Sequence, residues 1–448
     1  MTTDRPAGDT SCVTQIRSGA GADAAKTAPP VRRPGFSLRM RWVILLYFAE
    51  GFPFGVYLEV WSVYFRAHGV SLKAIGLLSL LGLPWTLKPL WAPLVDRYGD
   101  RRKWIAGCLV VMAVLLALHP AFDAAHPGPA FWTILFLFTL ASATQDIAID
   151  GHTIAFVPKE ETGAANGIRV SAYRGAMIVS GGGIVFFAGF IGWPPVWWAA
   201  AALLLVLAVV VLRAPGGVAR LERPRNFFAP LLAWASRPGS AAAIAFVLLY
   251  KLGDQAITPM IKPFWIDRGL SLKEVGLVST TLGIAFTVFG ALVGGFLTTK
   301  WGLIRALFIL GIAQVLPNLG YAACAAFDAG RYPIYAVSIL ESFGQGLGTA
   351  CFLTFMMRLC DPAQAGTQYA LISSLFALTR HISGGASGFA ATRFGYALFF
   401  AYTFLLAIPG LALIPFVRRR LEEADRIRAR SESEAAPATA APASTEPR

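Results

Sequence analysis

From about residue 42 to residue 417 the chain is a succession of long apolar stretches separated by short polar interruptions. A helix needs about 20 predominantly apolar residues to cross a bilayer. Twelve stretches reach that scale, at 42–65, 74–95, 104–121, 131–157, 163–190, 195–212, 241–266, 273–297, 303–326, 332–359, 366–391 and 396–417. A barrel strand would instead alternate apolar and polar positions over about ten residues. The pattern therefore predicts an all-α polytopic membrane protein. The expected organisation is a disordered tail over 1–40, a six-helix bundle over 41–213, a linker over 214–240, a second six-helix bundle over 241–417 and a second disordered tail over 418–448. The first tail is rich in Ala, Gly, Thr, Pro and Arg and lacks the apolar core of a secretory signal.

Composition closes off other classes. Of 448 residues, 56% are hydrophobic and 14% charged, and the mean hydropathy is +0.59. A soluble domain carries about 25% charged residues, so a soluble enzyme is excluded. The net charge of +14 is not a nucleic-acid footprint, because it is not gathered on one stripe. With the amino terminus in the cytoplasm, that side collects Arg32, Arg33, Arg39, Arg41, Arg97, Arg101, Arg102, Lys103, Lys159, Arg213, Arg220, Arg223, Arg225, Arg237, Lys300, Arg305, Arg358 and Arg418 to Arg420. The other side holds Arg66, Lys73, Arg268, Lys273, Arg331 and Arg393. A bias of roughly twenty against six places both termini in the cytoplasm, and the basic loops also suit anionic lipid. The expected partners are a small-molecule substrate and the bilayer, with no nucleic acid and the chain as a monomer. Cys12, Cys108, Cys324, Cys351 and Cys360 are an odd, scattered set with no metal or disulfide spacing.

An internal repeat is the most informative feature. Gly69-Val-Ser-Leu-Lys-Ala-Ile-Gly-Leu-Leu-Ser79 recurs as Gly269-Leu-Ser-Leu-Lys-Glu-Val-Gly-Leu-Val-Ser279, an offset of 200 that also aligns Ser142 and Gln145 with Ser342 and Gln345. An offset of 203 aligns Gly99 with Gly302, Gly163 with Gly366, and Ser180-Gly-Gly with Ser383-Gly-Gly. Such a period spans six helices, an even number, so the two halves share one topology. Parallel repeats of this kind build transporters with a midplane site between the halves.

Two six-helix halves with Ala92-Pro-Leu-Val-Asp96-Arg97-Tyr-Gly99-Asp100-Arg101-Arg102 after helix 2 resemble the major facilitator superfamily, whose signature there reads roughly G-x-L-x-D-R-x-G-R-R. Ala92 and Asp100 depart from it. A closer resemblance, to the muropeptide permease branch and its acetyl-CoA transporter relatives, rests on three segments: Leu87 to Arg97, Ser142-Ala-Thr-Gln145-Asp146-Ile-Ala-Ile-Asp150, and Tyr173-Arg174-Gly175-Ala-Met-Ile-Val-Ser180-Gly181-Gly182. The resemblance implies a bacterial inner-membrane carrier in which Asp96, Arg97, Gly99, Arg101 and Arg102 form a cytoplasmic gating motif, with Asp96 and Arg97 latching the halves in the outward-facing state. Thr299 and Lys300 stand at the equivalent places of the second half, where the latch is incomplete.

Charges inside spans cost roughly 2.5–3.5 kcal/mol each on insertion scales and usually face the bundle interior. Asp146 and Asp150 lie on one face of helix 4, and helix 5 carries Arg169 and Arg174. At 1.5 Å per residue, Asp146 and Arg174 both lie about 16 Å from the shared loop, so depth matching expects Asp146–Arg174 and Asp150–Arg169 pairs. Glu50 and Lys88 match similarly. The second half also carries Lys251; there Asp254 and Arg380 lie near midplane, with Gln345 close to that level and Glu341 higher, while Glu59 and Lys262 mark helices 1 and 7. Tyr57, Trp85 and Phe264 are candidates to line a pocket for a sugar or ring. Glu50, Asp146, Asp254 and Glu341 are the candidate proton carriers, since a carboxylate whose partner changes between states can bind and release a proton.

No G-x-x-x-x-G-K-[ST] loop, H-E-x-x-H or G-x-S-x-G motif occurs. The expected function is proton-coupled secondary transport by alternating access, without cofactor or metal and driven by a proton gradient. The resemblance implies import of muropeptide-like cell-wall products. Carriage of another anionic solute such as a siderophore, acyl-CoA or drug-like compound, and a non-transporting sensor, stay open at this level.

Overall fold

A computed structural model describes residues 35–97, 100–158, 161–215, 239–360, 365–418 and 421–422, and every regular element among them is helical. The helices are α1 Phe36–Ala67, α2 72–97, α3 Arg101–Ala121, α4 Pro129–Phe156, α5 162–191, α6 Trp193–Val211, α7 Ser240–Asp267, α8 Leu272–Trp301, α9 Leu303–Ala326, α10 Arg331–Leu359, α11 365–394 and α12 396–418. The expected tails before 35 and after 422, and most of the 214–240 linker, lie outside the described residues. Helix α1 starts at Phe36, ahead of the boundary expected at 41, because its first turn is docked: Arg39 is held by Glu161 at the start of α5.

Nine of the described spans are long and apolar enough to cross a membrane: α1, α3 to α9, and the run Ile372–Arg418 that joins α11 to α12. The other two differ for visible reasons. Helix α2 is broken into short helical pieces and 3-10 turns, where Pro84, Pro89 and Pro93 each remove a backbone donor. Helix α10 carries Ser338, Glu341, Ser342 and Gln345 among its apolar positions. The corner between α11 and α12 is Gly395, at φ 74°, a backbone region that glycine enters without steric cost.

Within the first half α1 packs on α4 and α5, and α3 on α4 and α6; within the second, α10 packs on α8 and α9, α11 on α7, and α12 on α9. Among the described residues the halves meet chiefly at α1–α7, α2–α11 and α5–α8, with a smaller α2–α7 contact, all toward the ends away from the chain termini. Among the described residues, the extensive contacts nearer the termini all lie within a half. The described helices are therefore joined on one side and apart on the other. The repeat maps α2 onto α8 and α5 onto α11, so the α2–α11 and α5–α8 crossings are copies of one contact.

Glycine makes those crossings possible. A Cβ on Gly276 would lie 2.6 Å from the Phe186 backbone nitrogen, and one on Gly76 would lie 2.8 Å from that of Gly388. The helices touch backbone to backbone, as small residues allow in membrane bundles. Helices α5 and α8 also carry π-helical turns, Ile178–Gly183 and Val275–Leu282, which pack on each other across the two halves.

Candidate functional site

Below the closed side, α1, α2, α4 and α5 build a charged network in the first half. Lys88 Nζ lies 2.9 Å from Asp146 Oδ2. One turn away on α4, Asp150 Oδ1 accepts the Tyr47 hydroxyl at 3.0 Å and lies 3.4 Å from Arg169, whose guanidinium stacks 4.7 Å from the Tyr47 ring centroid. Glu50 is buried beside Asp146, and its Oε2 has no hydrogen-bond partner. Gln145 ties α4 to α1 through the Ala49 carbonyl at 3.1 Å.

Depth matching is right for Asp150–Arg169 and wrong for Asp146–Arg174 and Glu50–Lys88. Equal height along two helices does not fix azimuth. The broken helix α2 packs on α4 and brings Lys88 to Asp146, and Glu50 is left without an ion pair among the described residues. Arg174 makes no ion pair among the described residues; its guanidinium contacts Met177 Sδ at 3.8 Å.

In the second half Lys251 and Asp254 pair at 2.9 Å with side chains 1% and 0% exposed. Lys251 also donates to Thr349 Oγ1 at 2.9 Å and to the Gln345 carbonyl at 3.3 Å. Lys251 is thus committed to its own half and does not present itself to a ligand, and Gln345 contributes backbone. Arg380 donates to Gln255 Oε1 at 2.9 Å and has no carboxylate partner. It lies within electrostatic range of Tyr57, Tyr173 and Arg174 of the other half and of Asp254 in its own.

Those side chains outline the polar junction. Trp85 lies 5.2 Å from both Phe54 and Tyr57, ring centroid to ring centroid, and Phe54 lies 5.8 Å from Tyr173. Of the three candidates for a pocket lining, Tyr57 and Trp85 reach this junction. Phe264 does not: it packs edge-on against Tyr321, Tyr396 and Phe400 in the core of the second half. A separate cavity of about 500 Å³, lined by Phe52, Phe186, Leu203 and Leu277 among others, is apolar and lies away from the charges.

The closed side is sealed by groups that depth matching does not pair. Lys262 of α7 binds Glu59 of α1, and Arg66 binds Asp267 at 2.5 and 2.6 Å. Lys262 and Glu59 stand 203 residues apart, whereas the register beside them is 200 and sets Glu59 opposite Pro259, so the repeat carries no signal for this bond. Helix α11 adds His381, whose Nδ1 lies 2.8 Å from the Ser79 carbonyl oxygen.

Of the gating motif, the side chains of Asp96 and Arg97 and the whole of Gly99 lie outside the described residues. Asp100, the departure from the signature, caps α3 by accepting from the Arg102 backbone at 3.0 Å, and Arg102 Nε donates back to it at 2.9 Å. Charge-assisted bonds from Arg102 hold the Asp100 carboxyl below the usual carboxylate range. Arg102 also reaches the Ala214 carbonyl at 2.8 Å. Arg101 lies against Gly151 of α4. No group of three or more metal-binding side chains occurs among the described residues.

A model of the Major Facilitator Superfamily matches residues 43–383 and 243–446. The chain belongs to that superfamily. It is similar to the anhydromuropeptide permease of Escherichia coli K12, with 34% identity over 394 residues covering 85% of this chain and 80% of that protein. Among solved structures it resembles the nucleoside transporter NupG, at TM-score 0.66 and 16% identity over 84% of this chain and 98% of the other. The inward open xylose transporter XylE from E. coli is similar at TM-score 0.66 and 13% identity, over 87% and 99%. These two share the fold. The protein is thus a muropeptide-permease-like membrane transporter of the superfamily and not an enzyme.

Proposed function

We propose that this transporter imports muropeptide-like cell-wall degradation products across the bacterial inner membrane, by alternating access and with proton coupling, with both termini cytoplasmic. The observation that carries the substrate class is that Arg174 and Arg380, one from each half and within electrostatic range of each other, make no ion pair among the described residues. Two cations without ion pairs at the junction favour an anionic solute, and Tyr57, Trp85 and Tyr173 near them offer aromatic faces to sugar rings. A muropeptide joins sugar rings to peptide carboxylates. Its name belongs to the E. coli relative; the geometry of this chain supports the same chemistry. Helices joined on one side and apart on the other, among the described residues, are what a single state of an alternating carrier presents. Proton drive is supported by the buried carboxylates and by the absence of any nucleotide-binding loop.

The test is uptake of an anhydromuropeptide into proteoliposomes under an imposed pH gradient. Gradient-dependent uptake is expected. Arg174→Ala or Arg380→Ala should each remove about 1.5–3 kcal/mol of charge-assisted bonding, about ten- to hundredfold in affinity. Asp146→Asn should abolish transport in a folded protein; normal transport by that variant would show the Lys88–Asp146 pair to be dispensable. Absence of gradient-dependent uptake would sink the import reading.

A further inference from the structure

Lys262 stands between two carboxylates on different halves. It binds Glu59 of α1 across the junction, and it lies close enough to Glu341 of α10, in its own half, to act on that charge. Glu341 is 6% exposed and makes no ion pair among the described residues; its single hydrogen bond comes from the adjacent Ser342 at 3.4 Å. The groups reaching it are Lys251, Asp254 and Lys262 on α7 and Tyr321 on α9. Lys251 is already engaged by Asp254 and Thr349. Helix α8 presents Gly283 beside Ser342, and the charged groups of α11, Arg380 and His381, are turned to Gln255 and Ser79. Lys262 is therefore the cation that either carboxylate can claim, and in this closed state Glu59 has it.

We propose that Lys262 exchanges partners between Glu59 and Glu341 as the transporter switches, and that Glu341 carries the coupled proton. A buried carboxylate without a cation is strongly disfavoured as an anion, so the state in which Lys262 holds Glu59 is the state in which Glu341 is neutral. When the halves part on this side, α1 withdraws Glu59, Lys262 turns to Glu341, and Glu341 is an anion facing water. A proton from that water neutralises Glu341 and frees Lys262 to bind Glu59 again, which closes the side. The proton then leaves toward the opposite side, where Asp254, whose Oδ1 has no partner, is the next acceptor along α7. Loss of the proton makes Glu341 compete for Lys262 and reopens the closed side. Proton entry from one side and exit on the other is thereby tied to one cycle. This sequence deepens the proposed proton-coupled import and rests on it for direction.

The experiment is a distance measurement between spin labels at His126 and Tyr332, both exposed on the closed side of opposite halves, without substrate and over about pH 8 to about pH 5. In the parent protein acid should shorten the distance. Glu341→Gln should hold it short at every pH. Glu59→Gln, which removes only the cross-half partner, should hold it long. A pH response in Glu341→Gln equal to that of the parent, or a short distance in Glu59→Gln at every pH, overturns the proposal. Because no substrate is present, such a result does not bear on import itself, which gradient-driven uptake in proteoliposomes decides separately.

Discussion

The two halves descend from one repeat and handle their buried charge in opposite ways. In the first half the network of Lys88, Asp146, Asp150 and Arg169 is open to water on the terminal side, with Lys88 32% and Arg169 42% exposed at the side chain. In the second half Lys251 and Asp254 are sealed. Duplication conserves the helix crossings because backbone packing has few solutions, as the paired Gly76 and Gly276 contacts show. It does not conserve charge, since one half can supply mobile ions while the other supplies a rigid anchor. The difference separates a network open to water from an ion pair sealed away from it.

Removing one partner from each network should expose that difference most strongly. Lys251→Met leaves Asp254 as an uncompensated buried charge, which costs about 3–5 kcal/mol, and thermal unfolding in detergent should show a large loss. Lys251→Met combined with Asp254→Leu should recover most of it. Lys88→Met leaves Asp146 near water and should cost far less stability, while abolishing transport. Equal destabilisation by Lys88→Met and Lys251→Met would erase the distinction between the halves.

The shared crossings offer a smaller, sharper comparison. Gly276→Ala places a methyl against the Phe186 backbone, and Gly76→Ala places one against Gly388. Overpacking of this kind costs about 1–3 kcal/mol, and here the cost falls only on the state in which the halves are in contact. Both variants should lengthen the His126–Tyr332 label distance by similar amounts. A response from one crossing alone would show that the closed side is held asymmetrically.

How much of the molecule is legible in its sequence follows from which physical variable a sequence encodes. Apolar length yields the spans, and the 200-residue register yields the halves, because both are one-dimensional. Height along a helix is also readable, which is why Asp150–Arg169 is found. Azimuth is not, so depth alone assigns Asp146 to Arg174 when the proline-broken α2 supplies Lys88. Phe264 is misplaced in a pocket for the same reason. The Lys262–Glu59 bond escapes because the 200-residue register sets Glu59 opposite Pro259, and which residues meet between the halves depends on azimuth. Asp100 looks like a flaw in a motif and is a helix cap.

The smallest expected effect contrasts the outermost ion pairs of the halves. Arg39 and Glu161 join α1 to the start of α5 across 122 residues of sequence, whereas Arg418 and Glu422, exposed and four apart, bridge a single turn. The Arg39 guanidinium holds the Glu161 carboxyl below its ordinary value of 4.5. A depressed carboxyl pKa contributes stability that is complete above the ordinary value and is lost as pH falls through the lowered one. Acidification below about pH 4.5 should therefore loosen the first turn of α1. Hydrogen exchange at Leu38 to Arg41, corrected for intrinsic rates, should rise there. Glu161→Gln should raise it at neutral pH and flatten its pH dependence. The last turn of α12 should change little in either case, because a local surface pair anchors nothing distant. Equal protection changes at the two ends would mean that Arg39–Glu161 is as dispensable as Arg418–Glu422, and the early start of α1 would then need another cause.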